Sequence, residues 1–498
     1  MSLAFAAAAA LASAVALWAS SPAVGLGWLA WVALVPVAAV TLAAGGTRRG
    51  RLAVPLAYAL FLELLLVPAL PFGIAADQWG DPVLPVMVGD SPVVFVALVA
   101  VPLVALLLYA ARFPQPLASR SGLVLVAVPA FVWTALDVLR TKFDPSGFWG
   151  PLFLSQHDTS AGALAALAGP WLVTFALVAV NWTVALVLVR RREALRTALV
   201  VAGAVAAGVV AVAVVSVPSG HAPERVSVAV VQPGYDTAEY NRPVLRYLRP
   251  ATRDLERASL DVIDDLAPLT RRAGAEGAAL VVWPEATIWV DPAANALVAR
   301  AVAELADETG AAIVVPFFLR SRAHGATALV LPDGDVLGPQ PKQRPMWFLG
   351  ERGANRTPPE AVETPLGRVG TLLGVDNQDA AVARELAADR ATLLASSTHD
   401  WRELAPYQRA LSQLHARALS VPLARADWRY GSAVYAGGGD ELASAGEEKR
   451  RAVVVAEVSP RRERTPYARI GDAFAWVAVA GALGLYAAAG VRRRASGR

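Results

Sequence analysis

The first residue whose position suggests chemistry is Glu285. It ends the run Ala279-Leu-Val-Val-Trp-Pro-Glu285, an apolar strand pattern that closes on a carboxylate braced by Trp283 and Pro284. Burial there would raise its pKa toward the range of a general base. The competing reading is a carboxylate that caps the next helix or meets solvent. A second group is Ser396-Ser397-Thr398-His399-Asp400, which holds the residue types of a hydrolytic triad. Neighbours on one extended segment point to opposite faces, so this spacing argues against triad geometry. The five histidines are scattered without ligand spacing and indicate no metal site. Gly437-Gly438-Gly439-Asp440 reads as a hairpin turn, since no phosphate-binding helix follows it. No cofactor is implied.

The chain contains no cysteine. Disulfides, cysteine-ligated zinc, iron–sulfur clusters and a thiol nucleophile are all excluded. Basic character comes almost wholly from arginine, because Lys142, Lys342 and Lys449 are the only lysines, and the formal charge of +4 gives no reason to expect nucleic acid.

Several kinds of element must position these groups. The chain has 498 residues, of which 56% are hydrophobic and 17% charged, against about 25% charged in ordinary soluble chains. Residues 1–217 form long apolar runs, near 4–20, 23–44, 52–74, 91–111, 121–139, 164–189 and 197–217. Each is close to the ~20 residues that cross a bilayer core. A further run, Ala473–Gly490, precedes Arg492-Arg493-Arg494. This predicts a polytopic α-helical membrane protein with eight transmembrane helices: domain 1–217, polar domain 221–468, and 470–498 as a last helix with a basic tail. The first run, rich in Ala and Ser, competes with a signal-peptide reading but lacks a basic start. Trp18, Trp28, Trp31, Trp171 and Trp182 read as interface anchors. Glu63 and Asp137 are the intramembrane acids; they leave only a weak transporter reading.

Arginines orient the spans. With the N-terminus cytoplasmic, the cytoplasmic loops hold Arg48, Arg49 and Arg51; Arg112 and Arg120; Arg190, Arg191, Arg192 and Arg196; and the tail arginines. The opposite loops hold Asp77, Asp81 and Asp90, then Lys142 and Asp144. The positive-inside pattern predicts a plasma-membrane protein with both termini cytoplasmic and 221–468 extracytoplasmic. That domain reads as strands at 225–232, 279–285, 311–318, 327–331, 336–337, 368–373, 392–396, 421–427, 431–436 and 452–458, with helices near 248–272, 294–308, 379–388 and 402–419. The alternation argues for a layered α/β domain.

Val282-Trp283-Pro284-Glu285 is similar to a strand end of the nitrilase superfamily, in its membrane-bound branch, the apolipoprotein N-acyltransferases. Val230-Val231-Gln232-Pro233, Ala135–Arg140 with Ser146–Gly150, Gly169-Pro170-Trp171-Leu172 with Asn181, and Thr465–Asp472 also resemble that family. The resemblance implies an αββα sandwich for the polar domain, and acyl transfer from a phospholipid through a thioester to the N-terminus of a lipoprotein. It implies Glu285 as general base, Lys342 as oxyanion stabiliser and Glu351 as a second, orienting glutamate. It also implies a substrate-facing role for Trp283, Trp347 and Asp376. Glu351 stands nine residues after Lys342, one more than the family spacing, so either the loop is remodelled or Gln343 takes the lysine's place. His415 and Arg417 resemble a face lining the site, with a solvated helix face as the competing reading. The family's nucleophilic cysteine falls on Gly374, which has no side chain to attack with.

Three readings of the chemistry follow. The protein has lost the covalent reaction and is a pseudoenzyme; or another residue, Ser396, Ser397, Thr398 or Asp376, has taken over; or Glu285 and Lys342 promote a non-covalent reaction. An alternative function is a silent lipid-binding scaffold beside another membrane enzyme, such as a polyprenol-phosphate mannosyltransferase.

Overall fold

The structure is a computed structural model. It describes residues 3–44, 48–66, 121–143, 150–216, 225–234, 255–285, 287–319, 324–345, 351, 357–400, 404–446, 450–461 and 463–496. The expected span at 91–111, the aspartates Asp77, Asp81 and Asp90, the Ser146–Trp149 segment and Trp347 lie outside these residues. The described residues divide into two compact units, one within 1–71, 88–215 and 470–498 and the other within 216–469.

The first unit is helical: α1 (Leu3–Ala19), α2 (Val35–Ala43), α3 (Arg48–Leu66), α4 (Gly122–Phe143), α5 (Pro170–Val189), α6 (Arg191–Ser216) and, beyond the second unit, α11 (Ala473–Ser496). Among the described residues, three stretches are long and apolar enough to cross a membrane: Gly122–Lys142, Pro170–Val189 and Ala194–Val214. Apolar burial gives helices no orientation in such a unit, so buried polar side chains fix the contacts. Asn181 on α5 accepts from Leu34 N at 2.8 Å and donates to Ala30 O at 2.8 Å, which satisfies the N–H that caps α2 and a carbonyl of the turn before it. Asp137 on α4 accepts from Leu152 N at 3.1 Å and from Thr174 Oγ1 at 3.4 Å. It thereby anchors the turn that follows α4. Lys142 pairs with Asp472 at 2.9 Å, and Trp171 Nε1 donates to the other oxygen of that carboxylate at 3.3 Å. Trp171 and Trp182 are buried. They are packing residues of α5, where interface anchors were expected; Trp171 stacks edge-on against Phe153.

The second unit is an αββα sandwich. One sheet has the order β12-β1-β2-β3-β4-β5, with β1 Val226–Gln232, β2 Leu280–Val282, β3 Ala312–Leu319, β4 His324–Val330, β5 Val336–Pro341 and β12 Ala452–Val458. The other has the order β11-β10-β9-β8-β7-β6, with β6 Val362–Thr364, β7 Gly367–Leu373, β8 Leu393–Thr398, β9 Leu423–Asp427, β10 Ala433–Tyr435 and β11 Glu441–Ser444. Each sheet has three parallel central strands, β1-β2-β3 and β7-β8-β9, flanked by antiparallel ones.

Strand parity divides the core into layers. Val228, Val230, Leu280, Val282 and Val314 meet Val369, Leu393, Ala395, Ala424 and Ala426 between the sheets. The alternate residues Ala229, Val231, Val281, Trp283 and Ile313 pack under the helices α7 (Leu255–Ala275) and α8 (Ala296–Thr309). Both faces are buried, so these strands read as unbroken apolar runs. Helices α9 (Ala380–Ala388) and α10 (Ala405–Leu419) follow β7 and β8. The Gly437–Asp440 run is a hairpin turn between β10 and β11, closed by Ala436 N to Asp440 O at 2.9 Å.

Changing Asn181 to Ala removes the acceptor of Leu34 N and the donor to Ala30 O inside the helical unit. The expected cost is about 1–3 kcal/mol, seen as a lower thermal unfolding midpoint of the full chain in detergent. An unchanged midpoint would mean that this side chain does not fix α2.

Candidate active site

Strand ends bring the candidate residues together. Glu285 leaves β2, Gly374 leaves β7, and Lys342 directly follows β5. The backbone of Glu285 is gripped from the other sheet: its N–H donates to Thr398 O at 3.2 Å, and its carbonyl accepts from Trp428 Nε1 at 2.6 Å. Lys342 Nζ lies 2.9 Å from Glu285 Oε1 and 2.9 Å from Glu351 Oε1. The Lys342 side chain is 1% exposed, whereas 16% of the Glu285 side chain reaches solvent. Gly325 packs closely beside the end of β7, where a Cβ would lie 3.1 Å from Leu373 Cδ2.

This arrangement answers two expectations. Lys342 itself occupies the site, while Gln343 turns its side chain back to Pro341 O. The longer spacing to Glu351 does not keep the second glutamate away.

Burial pushes the Glu285 pKa up, with Lys342 pulling against it and Glu351 adding to the rise. Burial alone would lower the Lys342 pKa, but the two carboxylates reverse this and hold it above the ordinary lysine range. One ammonium therefore serves two carboxylates. The pair of anions cannot both be fully neutralised, which is the setting of a base with raised pKa.

Gly374 opens a short turn, Gly374–Gln378, with φ +55°. A Cβ built on it would lie 2.6 Å from Glu285 Cδ and closer still to both carboxylate oxygens. The Glu285 carboxylate thus fills the space in which a side chain at 374 would begin.

Asp376 holds this turn to the lysine loop. Its carboxylate accepts from Gln343 N at 3.1 Å, Arg344 N at 2.6 Å and Leu373 N at 3.3 Å. Burial pushes its pKa up to about 7, opposed by Lys342 and those backbone donors. With its oxygens committed to three N–H groups, Asp376 is placed as a staple. Trp283, expected to face substrate, is fully buried on the helix side of its sheet and donates to Thr270 Oγ1 at 3.0 Å.

The Ser/His/Asp segment forms no triad. Asp400 is bound by Arg425, and neither Ser396 Oγ nor Ser397 Oγ has a hydrogen-bond partner among the described residues. Burial pushes the His399 pKa down to about 4, with the Arg429 charge adding to it. His415 lies on the wholly buried face of α10 and contacts Asn377 O at 2.8 Å. It is not on a solvated face. Arg417 is also buried.

Sequence reasoning missed the support of the site. Asn377 donates to Gln408 Oε1 at 2.9 Å and accepts from Ser412 Oγ at 3.0 Å, which pins the Gly374 turn to α10. Asp427 accepts from Thr398 Oγ1 at 3.0 Å and Asp400 N at 2.8 Å, beside the fully buried Arg425. The signal available was position: Trp428 follows β9 as Glu285 follows β2. Among the described residues no group of metal-ligating side chains converges.

Gly374→Ala should lower stability by about 1–3 kcal/mol, through the positive φ and the overlap with Glu285. Adding Glu285→Ala should recover the steric part, a coupling of about 0.5–3 kcal/mol. Denaturant or thermal unfolding of the four chains measures it, and strict additivity would disprove the contact.

Residues 13–183 match the apolipoprotein N-acyltransferase N-terminal domain, and residues 228–467 match the carbon-nitrogen hydrolase domain. Comparison with curated proteins gave no match. Solved structures similar to the chain include a carbon-nitrogen hydrolase from Helicobacter pylori G27, 16% identical over 50% of this chain and 93% of that one, TM-score 0.39. An amidase from Nesterenkonia sp. is 17% identical over 52% and 97%, TM-score 0.38. Nit3 of Saccharomyces cerevisiae, a member of branch 10 of the nitrilase superfamily, is 15% identical over 49% and 94%, TM-score 0.40. The two domain matches lie in the order and in the parts of the chain that the residue resemblances mark, and the protein belongs to the apolipoprotein N-acyltransferase family, the membrane-bound branch of the nitrilase superfamily, as a member without cysteine.

Proposed function

We propose that the protein is a multipass plasma-membrane protein whose hydrolase domain engages lipid acyl esters without forming the acyl-enzyme of its family. The observation that carries this is the convergence of Glu285 and Glu351 on Lys342, with the Glu285 carboxylate set against Gly374. A base and an oxyanion donor are assembled around a position that cannot attack a carbonyl. In this reading Glu285 is the base, Lys342 the oxyanion stabiliser, Glu351 the group that orients the lysine, and Asp376 the staple of the site. Phospholipid is the acyl source and a lipoprotein N-terminus the family acceptor.

The domain division is 1–217, 221–468 and 470–498, with eight spans, both termini cytoplasmic and the hydrolase domain outside. The arginine pattern supports it. A scaffold role beside a membrane enzyme is the second reading. Its support is Lys342, already paired with two carboxylates inside the protein.

Purified protein incubated with phospholipid and a diacylated lipopeptide should give neither a covalent acyl adduct nor a third acyl chain by mass spectrometry. A triacylated product would sink the proposal. Orientation is testable because the chain has no native cysteine. Asp333→Cys should react with a membrane-impermeant maleimide on intact cells, and Ser496→Cys only after permeabilisation. The opposite pattern would reverse the topology.

A further inference from the structure

We propose that this site hydrolyses carboxylic esters of fatty acyl chains in one step, with water replacing the missing thiol. The proposal rests on the reading that no acyl-enzyme forms, and it assigns an activity where that reading leaves only engagement.

Two open hydrogen-bonding positions and a missing side chain mark the site. Glu285 Oε1 accepts from Lys342, but Oε2 has no donor among the described residues. Lys342 spends two of its three N–H bonds on Glu285 and Glu351, and the third has no partner among the described residues. Gly374 abuts the Glu285 carboxylate, and its missing side chain leaves no protein nucleophile beside the base. In a thiol enzyme the nucleophile separates the base from the acyl carbon. Here the carboxylate itself occupies the beginning of that space, and 16% of the side chain is exposed to solvent. An external water bonded to Oε2 is the group the base reaches first. Asp376 is already committed to three backbone donors, so Glu285 is the base.

The step balances. Glu285 takes a proton from water as the water oxygen bonds to the ester carbonyl carbon. The resulting oxyanion takes the free Lys342 N–H. Collapse breaks the ester C–O bond, and the departing alkoxide recovers the proton from Glu285. The products are a fatty acid and an alcohol. An ester is favoured over an amide because an alkoxide leaves more readily, and the covalent stage that eases harder transfers is gone.

The test uses the full chain in detergent micelles with p-nitrophenyl octanoate, and separately with phosphatidylethanolamine, in oxygen-18 water. The expected result is one labelled oxygen in each fatty acid released and no adduct in the intact protein mass. Glu285→Gln should lower kcat/KM about 10²–10⁴-fold with the unfolding midpoint retained. The pH profile should rise through an inflection above the ordinary carboxylate range, since burial raises the Glu285 pKa, and the variant should lose that inflection. Release that is equal in Glu285→Gln, or no release above the buffer rate, overturns the hydrolysis while leaving the absence of an acyl-enzyme standing. A covalent adduct overturns both.

Discussion

Much of the hydrolase unit is organised around one ammonium group. Lys342 is 1% exposed and lies between two carboxylates at 2.9 Å each. A buried cation is tolerated only where anions and hydrogen bonds replace its hydration. That requirement fixes three chain segments at once: the end of β2 that carries Glu285, the end of β5 that carries the lysine, and the stretch around Glu351. It also bears on Glu285, whose pKa burial pushes up while Lys342 pulls it back.

The rest of the site holds those segments to one another. Asp376 ties the lysine loop to the Gly374 turn, and Asn377 ties that turn to α10. Trp428 and Thr398 fix the Glu285 backbone from the opposite sheet. None of this support requires a thiol, so the absence of cysteine leaves the frame intact. What changes is local: a glycine with positive φ beneath a carboxylate that has no side chain to stay clear of.

The layered fold was legible because parallel strands buried on both faces leave long β-branched runs, as at Val226–Gln232 and Leu280–Val282. β6 and β11 were not foreseen: each is short, and β11 is mostly exposed, so neither carries a pattern. Glu285 was visible as a carboxylate ending an apolar strand. Lys342, Glu351 and the vacancy at 374 became visible only through family resemblance, since no local rule picks one loop lysine or one glycine. Trp283 was misread for want of a parity argument: Val281 and Trp283 share a face, and that face packs on helices. Asp427 and Asn377 were missed because their partners, such as Gln408 and Thr398, are distant in sequence and adjacent only after folding.

The tie between Asn181 and the start of α2 bears on how the chain is made. The Leu34 N–H reaches its acceptor across 147 positions, and Ala30 O finds its donor on the same side chain. Early in synthesis those backbone groups have no such partner, and unsatisfied backbone groups are costly away from water. The N-terminal segment therefore reaches its final form only after α5 emerges from the ribosome. Until then it depends on interfacial water or on the insertion machinery to shelter its backbone.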